Sequence, residues 1–555
     1  MADYIADFIY RRGVKEVFML AGGGSIYLDD GVACHKHLKH ICVRNETTAP
    51  MMAGAYARVA HNLGVVYVTT GPGGTNAISG VIECWTDSVP ILVISGQVSK
   101  DHILEEGPRA FGVQGFNIIK MVKPVTKYCA LVRDPNEIRY HLEKSFNFAK
   151  NGRPGPVWLD IPLDVQNAVV DESSLRGYEG GIYNFQSSVC ESQSVEILKL
   201  LRHSKRPVII AGQGVKISDS IHEFRRLVEH LDIPVVFTRL SADVLPFSHK
   251  NSFGCAGITG RKSSNLILKN SDLVISLGCR LAPPLMGENS DIIPHTAKLI
   301  AVDIDFGELE KHKQRIDLRV EGDAKGVILD LLNKTESVQL PSFREWMETC
   351  TNHKNKYPTT VPEDKRNPLN LYYFIQRVDV LSKPNTIFIT NAGTSYHIAE
   401  QVLQFEKGQR EITSGAMAAM GLAIPFAIGS SVADKSAQVV VLTGDGSLEL
   451  NIEELKTISY YNLNVKAFIM NNGGYVTIKN TQDRVCSGRY IGSMRTVGTE
   501  TLDLQKVAAA FDLPYCRIDR WEDVDEKVAG VLDRDGPVFI DVVCDRNQKL
   551  IESFA

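Results

Sequence analysis

Short apolar, β-branched segments that end in glycine or another small residue recur along the chain and constrain its fold more than any other feature. Examples are ILVISGQ (91–97), RPVIIAGQG (206–214) and SAQVVVLTGDGS (436–447). Such runs are typical of strands buried on both faces, and helical patterns separate them. Strands that alternate with helices form parallel sheets, which bind ligands beyond the carboxyl ends of their strands. The pattern therefore predicts an α/β protein whose functional residues follow the strands.

The strand–helix pattern falls into three blocks, as expected for a chain of 555 residues. We predict domains over residues 1–170, 190–335 and 365–545. The polar stretches 171–188 and 333–343 are interpreted as linkers between them. The predicted fold class is α/β, with three doubly wound parallel-sheet domains.

Charge and cysteine content exclude several classes of protein. Lys and Arg number 61 while Asp and Glu number 65, so no basic excess points to nucleic acid. No run approaches the roughly 18–20 apolar residues of a membrane helix, and we predict no membrane association. The 11 cysteines include no C-x-x-C pair, which disfavours a zinc ribbon, and their odd number disfavours a disulfide framework. These counts favour a cytoplasmic enzyme.

The motif that carries most chemistry is Gly-Asp-Gly-Ser (444–447) followed by Asn-Asn (471–472), each at the end of a predicted strand. One helix separates the two strands, so Asp445 and Asn472 are expected at the same sheet edge. Carboxylate and amide oxygens suit Mg²⁺, and the glycines let backbone N–H groups approach a phosphate. For G-D-G alone, a turn in which Asp445 caps a helix starting near Leu448 is the favoured alternative. The Asn-Asn pair reverses that preference.

These residues resemble the signature of the thiamine-diphosphate-dependent enzymes. The resemblance implies that Asp445, Asn472 and the backbone carbonyl of Gly474 hold Mg²⁺ on the cofactor's diphosphate. The further cofactor contacts that it implies at the strand ends are Gly393, Thr394, Ser395, Gly444, Gly446 and Ser447.

The segment RNETTAPMMAGAYAR (44–58) is similar to the family's helix that carries the cofactor-activating glutamate, here Glu46. In the family this carboxyl group lies beside N1′ of the cofactor's aminopyrimidine and shares a proton with it. The resemblance therefore assigns the catalytic role to Glu46. Taken alone, Glu46 would be interpreted as an ordinary residue of a first helical turn.

Several segments resemble the acetohydroxyacid synthase–pyruvate oxidase branch of this family. They are TGPGGTNAISGVIECWTDSVPILVISGQV (70–98), GRPGPVWLDIPLDVQ (152–166) and TSGAMAAMGLAIPFAIG (413–429). The last segment implies cofactor contacts from Ser414, from the carbonyl of Ala418 and from Met420, the bulky residue that supports the bent cofactor. The substrate contacts that the branch implies are Gly23, Gly24, Phe116, Asn117 and Ile478.

The resemblance also implies an assembly. The outer blocks would be pyrimidine-binding (1–170) and pyrophosphate-binding (365–545) domains, with Glu46 on the first and Asp445 on the second. Because the family builds each site between such domains of different subunits, a homodimer or a homotetramer is expected.

The central Rossmann-like domain binds FAD in this branch. The residues near the branch's flavin-contacting positions, several of them altered, are Gly257, Gly260, Gly278, Cys279, Arg280, Asp303, Ile304 and Asp305. The partial motif GQGVKI (212–217) is equally typical of a plain tight turn. An FAD site and a purely structural domain therefore stand as alternatives.

The expected reaction is that of an acetolactate synthase-like carboligase, a thiamine-diphosphate-dependent transferase or lyase. It would decarboxylate a 2-oxo acid such as pyruvate and transfer the enamine-derived acyl unit to a second carbonyl compound. Leu163 replaces the lysine usual in this branch, and no tryptophan lies near Thr481. These departures favour a bulky acceptor, such as a keto sugar in surface polysaccharide biosynthesis.

Two other functions are weighed against the carboligase. One is a thiamine-diphosphate-dependent 2-oxo acid decarboxylase or C–C lyase, which needs no second carbonyl substrate. The other is a non-enzymatic relative that keeps the fold without the cofactor. The retained Glu46, Asp445 and Asn472 disfavour the second, because buried polar groups without a purpose are costly.

Overall fold

The computed structural model describes residues 1–104, 106, 108–180, 191–287, 292–335 and 338–553. Within them, helices flank three six-stranded sheets, and every strand pairing that joins neighbours in these sheets is parallel. The predicted α/β class with three doubly wound sheets is confirmed.

The N-terminal sheet has the strand order β2-β1-β3-β4-β6-β5. Its strands are β1 (Glu16–Met19), β2 (Lys39–Cys42), β3 (Gly64–Val68), β4 (Ile91–Gln97), β5 (Tyr128–Leu131) and β6 (Val157–Pro162). Its helices are α1 (Ala2–Arg11), α2 (Ile26–Cys34), α3 (Thr48–Ala60), α4 (Pro72–Thr86), α5 (Ile118–Val122), α6 (Ile138–Lys150) and α7 (Leu163–Gln166).

The central sheet has the order β12-β11-β10-β7-β8-β9, which is the doubly wound order of dinucleotide-binding domains. Its strands are β7 (Pro207–Ala211), β8 (Val235–Phe237), β9 (Ser252–Cys255), β10 (Leu273–Leu277), β11 (Lys298–Asp303) and β12 (Leu318–Glu321). Its helices are α8 (Glu191–His203), α9 (Gly214–Ile217), α10 (Ile221–Leu231), α11 (Lys262–Asn270), α12 (Pro283–Met286), α13 (Phe306–Glu310), α14 (Ala324–Thr335) and α15 (Arg344–Lys356).

The C-terminal sheet has the order β14-β13-β15-β16-β18-β17, which repeats the order of the N-terminal sheet. Its strands are β13 (Ile387–Ile389), β14 (Arg410–Ile412), β15 (Val439–Gly444), β16 (Val465–Asn471), β17 (Tyr515–Ile518) and β18 (Val538–Val543). Its helices are α16 (Leu371–Leu381), α17 (Gly393–Val402), α18 (Ala423–Ala433), α19 (Asp445–Leu448), α20 (Leu455–Tyr460), α21 (Val476–Cys486), α22 (Leu504–Ala510) and α23 (Val524–Asp533).

The two outer domains share one apolar core, built where α3 packs on α18. Both helices are buried along almost their whole length. A Cβ atom on Gly429 of α18 would lie 2.0 Å from the carbonyl oxygen of Met52, so only glycine permits this close approach. The packing fixes the N-terminal and C-terminal strand ends relative to each other.

The structure corrects three local predictions. Glu46 lies two residues ahead of α3 rather than on it, since the helix begins at Thr48. The short helix after β15 begins at Asp445 and not near Leu448, because its first turn forms directly at the strand end.

The third correction concerns the predicted linkers. Helix α14 continues to Thr335, so residues 333–335 are helical rather than linker. Residues 336–337, and residues 181–188 of the first linker, lie outside the described residues. Among the helices that the structure describes, none is both long and apolar enough to cross a membrane.

Candidate active site

The Gly-Asp-Gly-Ser and Asn-Asn motifs meet at one edge of the C-terminal sheet. Strands β15 and β16 are parallel neighbours, with Gly444 opposite Met470. Because the two strands end side by side, Asp445 and Asn472 emerge from the same edge, as the sequence predicted.

Asp445 is a buried carboxylate held by backbone N–H groups. Its Oδ1 accepts from Gly446 N and its Oδ2 accepts from Gly473 N, both at 2.8 Å. Burial raises the pKa of Asp445 to about 6, and the hydrogen bonds from Gly473 and Gly446 oppose this rise. Each oxygen still has a lone pair for a further ligand.

Asn472 supplies an oxygen that the protein leaves unused. Its Oδ1 is buried and has no hydrogen-bond partner among the described residues. Leaving such an acceptor unpaired is costly, which indicates that another group satisfies it. The neighbouring Gly474 has φ +137°, and a Cβ atom there would lie 2.7 Å from the carbonyl oxygen of Ser493. Only glycine fits this backbone conformation and this close contact, so Gly474 determines the path of the backbone beside the site.

This donor set fits Mg²⁺. It combines the Asp445 carboxylate with the Asn472 amide oxygen, hard ligands of the kind that Mg²⁺ prefers, while the neighbouring Gly474 carbonyl accepts from Val476 N at 3.2 Å. Over the described ranges, no group of three or more His, Cys, Asp or Glu side chains is placed to hold a metal.

The residues predicted to bind the diphosphate surround the same sheet edge. Gly393, at φ +78°, begins the ten-residue helix α17 after β13, and a Cβ atom there would meet no other atom within 4 Å. The Oγ of Ser395 is buried and has no hydrogen-bond partner among the described residues. Thr394 Oγ1 lies 3.1 Å from Thr477 Oγ1 on α21. An open helix N-terminus with the unpaired Ser395 hydroxyl group beside it is suited to an anion.

Contacts within the protein position Ser447 and the neighbouring glycines. The Oγ of Ser447 accepts from Asn391 Nδ2 at 2.6 Å and from Gly421 N at 3.1 Å. A Cβ atom on Gly446 would lie 2.3 Å from the ring of Tyr475, whereas Gly444 has open space around its Cβ position. Ser447 thus ties the ends of β13 and β15 together.

The segment 413–418 carries the predicted Ser414 and Ala418 into the same region. Ala418 has φ +46°, a left-handed conformation that alanine seldom adopts. Its N–H donates to Ser414 Oγ at 2.8 Å, and the Tyr396 hydroxyl donates to the Ser414 carbonyl at 3.0 Å. Just beyond the segment, the Met420 side chain is 39% exposed although it is apolar.

Glu46 lies on the N-terminal domain, in the turn that precedes α3. Its Oε2 accepts from Asn76 Nδ2 at 3.0 Å. Among the described hydrogen bonds, none joins Glu46 to the group around Asp445. The turn is fixed to the C-terminal domain through Glu454, whose Oε1 accepts from Arg44 N at 2.8 Å and from Thr48 Oγ1 at 2.7 Å.

The predicted substrate residues of the N-terminal domain follow β1 and β4. Gly24 lies in a 3₁₀ turn where a Cβ atom would be 1.8 Å from Thr70 Oγ1, while the adjacent Gly23 has open space around it. Phe116 is 42% exposed, and its carbonyl accepts from Gln97 Nε2 at 2.8 Å. Asn117 caps α5 through its Oδ1, which accepts from Lys120 N. Ile478, on α21 of the C-terminal domain, is 49% exposed.

A cleft of about 370 Å³ lies where the three domains meet. Its walls include Gly257, Gly278 and Asp303, which lie at the ends of strands of the central domain. Residues of α17 and of the 413–418 segment also line it. Burial raises the pKa of Asp303 to about 6.

A buried cation that the sequence analysis missed stands at one side of this cleft. Arg239 donates to Glu400 and Glu411, each at 3.2 Å, and its guanidinium lies 3.3 Å from the ring centroid of Tyr396. The only local signal is a charged residue two positions after the apolar run of β8.

Comparison with known proteins places the chain in a family. Models of thiamine pyrophosphate enzymes match three regions: an N-terminal TPP binding domain over residues 1–127, a central domain over 195–332 and a C-terminal TPP binding domain over 391–542. The acetolactate synthase large subunit of Lactococcus lactis subsp. lactis (strain IL1403) is 30% identical, over 99% of this chain and 93% of its own. This chain belongs to the thiamine pyrophosphate enzyme family.

Other members of the thiamine pyrophosphate enzyme family match equally widely. Acetolactate synthase isozyme 1 large subunit of Escherichia coli (strain K12) is 30% identical, over 99% of this chain and 94% of its own. The acetolactate synthase large subunit of Pyropia yezoensis is 31% identical, over 98% and 92%. The predicted resemblance to acetolactate synthase large subunits is confirmed, and the protein is a thiamine-diphosphate-dependent enzyme.

Family membership does not account for Glu454, which the sequence analysis also missed. It follows Glu453 at the start of α20, and nothing in that local pattern marks it. Its Oε2 accepts from the nearby Thr457 Oγ1, but the partners of its Oε1 lie more than 400 residues earlier in the chain. Only the fold reveals that it holds the Glu46 turn in place.

Proposed function

We propose that this protein is a carboligase that releases CO₂ from a 2-oxo acid such as pyruvate and joins the remaining acyl unit to a second carbonyl compound. Its full-length similarity to acetolactate synthase large subunits supports this reaction class. The observation that carries the proposal is the unpaired, buried Asn472 Oδ1 beside Asp445, next to the open N-terminus of α17.

In this proposal the C-terminal domain holds the cofactor's charged end. Asp445, Asn472 Oδ1 and the Gly474 carbonyl hold Mg²⁺, while Ser395 and the N-terminus of α17 bind the diphosphate. Bound thiamine diphosphate supplies the electron sink that lets a 2-oxo acid lose CO₂.

Glu46, Ala418 and Met420 act on the cofactor's other end. With the cofactor bound, Glu46 would share a proton with its aminopyrimidine ring, and the Ala418 carbonyl would accept a hydrogen bond from the amino group of that ring. The exposed apolar side chain of Met420 would support the cofactor. Ser414 supports this arrangement by accepting the Ala418 N–H.

The second substrate is proposed to be a bulky carbonyl compound such as a keto sugar. Leu163, in place of the lysine of related enzymes, removes a positive charge from the start of α7. Thr481 is exposed and small, and Gly23 faces open space. These residues leave room that an acceptor larger than a short 2-oxo acid can fill.

We further propose that the working unit is a homodimer or a homotetramer with its sites between chains. Within one chain, the Glu46 turn bonds to Glu454 and not to the Asp445 group. Apolar side chains around the candidate site are strongly exposed, including Met417 at 47% and Ile478 at 49%. Covering such a patch with a second chain would bury it.

FAD is proposed for the central cleft, against the alternative that the domain is structural. The central sheet has the strand order of dinucleotide-binding domains, and Asp303, the last residue of β11, lines the cleft together with Gly257 and Gly278. The visible absorbance of the purified protein decides between the two: a flavin spectrum supports FAD, and a protein without bound or bindable flavin supports the structural role.

Product analysis tests the proposed reaction. Purified protein with thiamine diphosphate, Mg²⁺ and pyruvate is assayed for CO₂, with and without candidate carbonyl acceptors, and products are identified by mass spectrometry. If pyruvate alone yields acetolactate, a second pyruvate molecule is the acceptor. If CO₂ release accelerates when a keto sugar is added, the result supports the bulky acceptor. A free aldehyde that no acceptor diverts would instead support the decarboxylase or lyase alternative.

A further inference from the structure

The segment 413–418 is the place where all three domains touch the candidate cofactor site. It leads from β14 toward α18 and carries Ser414 and Ala418. A Cβ atom on Gly415 would lie 2.4 Å from the Leu240 side chain of the central domain and 3.1 Å from Asp87 Oδ1 of the N-terminal domain. A side chain at position 415 would therefore displace Leu240 where the segment passes between these two domains.

Asp87 binds this segment through both carboxylate oxygens. It lies at the C-terminus of α4 and is 1% exposed. Its Oδ2 accepts from Gly415 N at 2.8 Å and its Oδ1 accepts from Ala416 N at 3.1 Å. One buried carboxylate of the N-terminal domain thus pairs two consecutive backbone N–H groups of the C-terminal domain.

Arg58, on α3, completes the contact. Its Nη2 donates to Asp87 Oδ2 at 3.1 Å, and its Nη1 donates to the carbonyl oxygen of Thr413. Together Asp87 and Arg58 form charge-assisted hydrogen bonds with three successive peptide groups of the segment. Such bonds are stronger than hydrogen bonds between neutral groups. Since Asp87 and Arg58 neutralise each other, the buried charges are compensated.

The conformation held in this way is one that the segment would not keep unaided. Ala418 has φ +46°, which is disfavoured for a residue with a Cβ atom and persists only where the surroundings enforce it. The enforcing contacts are Ser414 Oγ at the Ala418 N–H and the Tyr396 hydroxyl at the Ser414 carbonyl. Asp87 and Arg58 anchor the start of the same segment from the other side.

We propose that Asp87 and Arg58 are positioning residues of the N-terminal domain, which hold the 413–418 segment of the same chain so that Ala418 presents its carbonyl group to the cofactor. This proposal rests on the proposed function of Ala418. Neither residue touches substrate or cofactor; both act through the segment. The N-terminal domain thereby contributes to cofactor binding through Asp87 and Arg58 in addition to Glu46.

The test compares Asp87→Asn with a matched control, Asp272→Asn. Asp272 also accepts backbone N–H groups with both oxygens, from Arg206 at 3.0 Å and Lys205 at 2.9 Å, but it holds a turn of the central domain away from the site. Amide hydrogen exchange is measured on the cofactor-free full-length proteins. The affinity for thiamine diphosphate with Mg²⁺ is then measured by calorimetry.

We expect Asp87→Asn to lose exchange protection in the peptide covering residues 413–418 and to bind the cofactor at least ~10-fold more weakly, since an amide cannot accept with both of its polar atoms. Turnover should fall while KM for the 2-oxo acid stays nearly constant. Asp272→Asn should keep the exchange of the 413–418 peptide and the cofactor affinity of the wild type. Arg58→Lys, which keeps the charge, should give a weaker change of the same kind and carries the test if Asp87→Asn does not fold.

Unchanged exchange of the 413–418 peptide in both Asp87→Asn and Arg58→Lys would overturn the proposal. Faster exchange with unchanged cofactor affinity would also overturn it, because the contact would then be only structural. A wild-type protein that binds no thiamine diphosphate would instead refute the proposed function. The exchange data would still report on the contact itself.

Discussion

At the scale of single residues, the contacts of Glu46 and of its turn hold its carboxylate in a fixed position where it can meet a ligand. One of its carboxylate oxygens accepts from Asn76, and the turn around it is fixed by Glu454. Substituting Glu46→Gln keeps the size and the hydrogen bond but removes the exchangeable charge. We expect thiamine diphosphate affinity to be largely retained and CO₂ release to fall ~100-fold or more.

The measurement for Glu46→Gln is CO₂ release at saturating cofactor, alongside calorimetric cofactor binding. Asn76→Ala serves as a companion, since it frees the Glu46 carboxylate without removing it; its loss of turnover should be smaller. Wild-type turnover in the Glu46→Gln variant would exclude the proposed catalytic role.

Glu83 makes stability depend on pH at the contact between α4 and the 413–418 segment. It is buried, and both of its carboxylate oxygens lack hydrogen-bond partners among the described residues. Burial, and then the charge of Asp87, raise the pKa of Glu83 to about 7, while the guanidinium of Arg58 opposes this rise. The folded state therefore holds a proton that the unfolded chain has released above about pH 4.5.

Because the folded state binds this proton more tightly, stability falls as the pH rises from about 4.5 to 7. Glu83→Gln removes this loss. We expect Tm of the variant, relative to wild type, to rise by several degrees between pH 5 and pH 8, because one pKa unit corresponds to about 1.4 kcal/mol and about 1 kcal/mol shifts Tm by about 2–4 °C in a domain of this size. Scanning calorimetry at the two pH values measures it, with the exposed Glu345→Gln as control. A Tm difference that stays constant with pH would show that Glu83 does not carry the proton.

Which residues could be predicted from the sequence depends on where their partners lie. Asp445 and Asn472 each follow a strand, so the alternation of strands and helices placed them together before the structure was known. Asp87 and Glu454 bond to backbone groups more than 300 residues away. No local pattern encodes such partners, and only the packing of the domains reveals them.

At the scale of elements, central strands were predicted and several edge strands were not. The predicted run ILVISGQ coincides with β4, whose residues are all buried. In contrast, only Ile41 of β2 and only Val320 of β12 are buried, because each strand lies at a sheet edge and faces solvent. A strand with one buried residue lacks the apolar run that identifies its central neighbours.

The packing of α3 on α18 leads to a prediction at this scale. A Cβ atom on Gly429 would overlap the Met52 carbonyl at 2.0 Å, whereas Gly530 on α23 has no other atom within 4 Å of its Cβ position. Gly429→Ala should cost about 1–3 kcal/mol through overpacking. Gly530→Ala should be neutral or stabilising by about 0.5–1 kcal/mol, since alanine favours a helix interior. Thermal unfolding of both variants measures the difference, and equal Tm values would refute the close approach of the two helices.

At the scale of the whole molecule, the two outer sheets share one strand order. The sequence showed two similar blocks but not their common topology, because edge strands and crossovers leave little trace in the residue pattern. Glu46 follows β2 at the edge of the N-terminal sheet, and Asp445 follows the inner strand β15 of the C-terminal sheet. Pairing those domains between chains would give a dimer two equivalent sites.

Mixing inactive chains tests this account most directly. Glu46→Gln and Asp445→Asn chains are expressed separately and together, and CO₂ release from the 2-oxo acid is measured. If each site takes Glu46 from one chain and Asp445 from another, half of randomly paired dimers are mixed and each holds one intact site, so activity should return to about a quarter of wild type. If co-expression gives no more activity than the two variants alone, Glu46 and Asp445 of different chains do not form one site, and the account is contradicted.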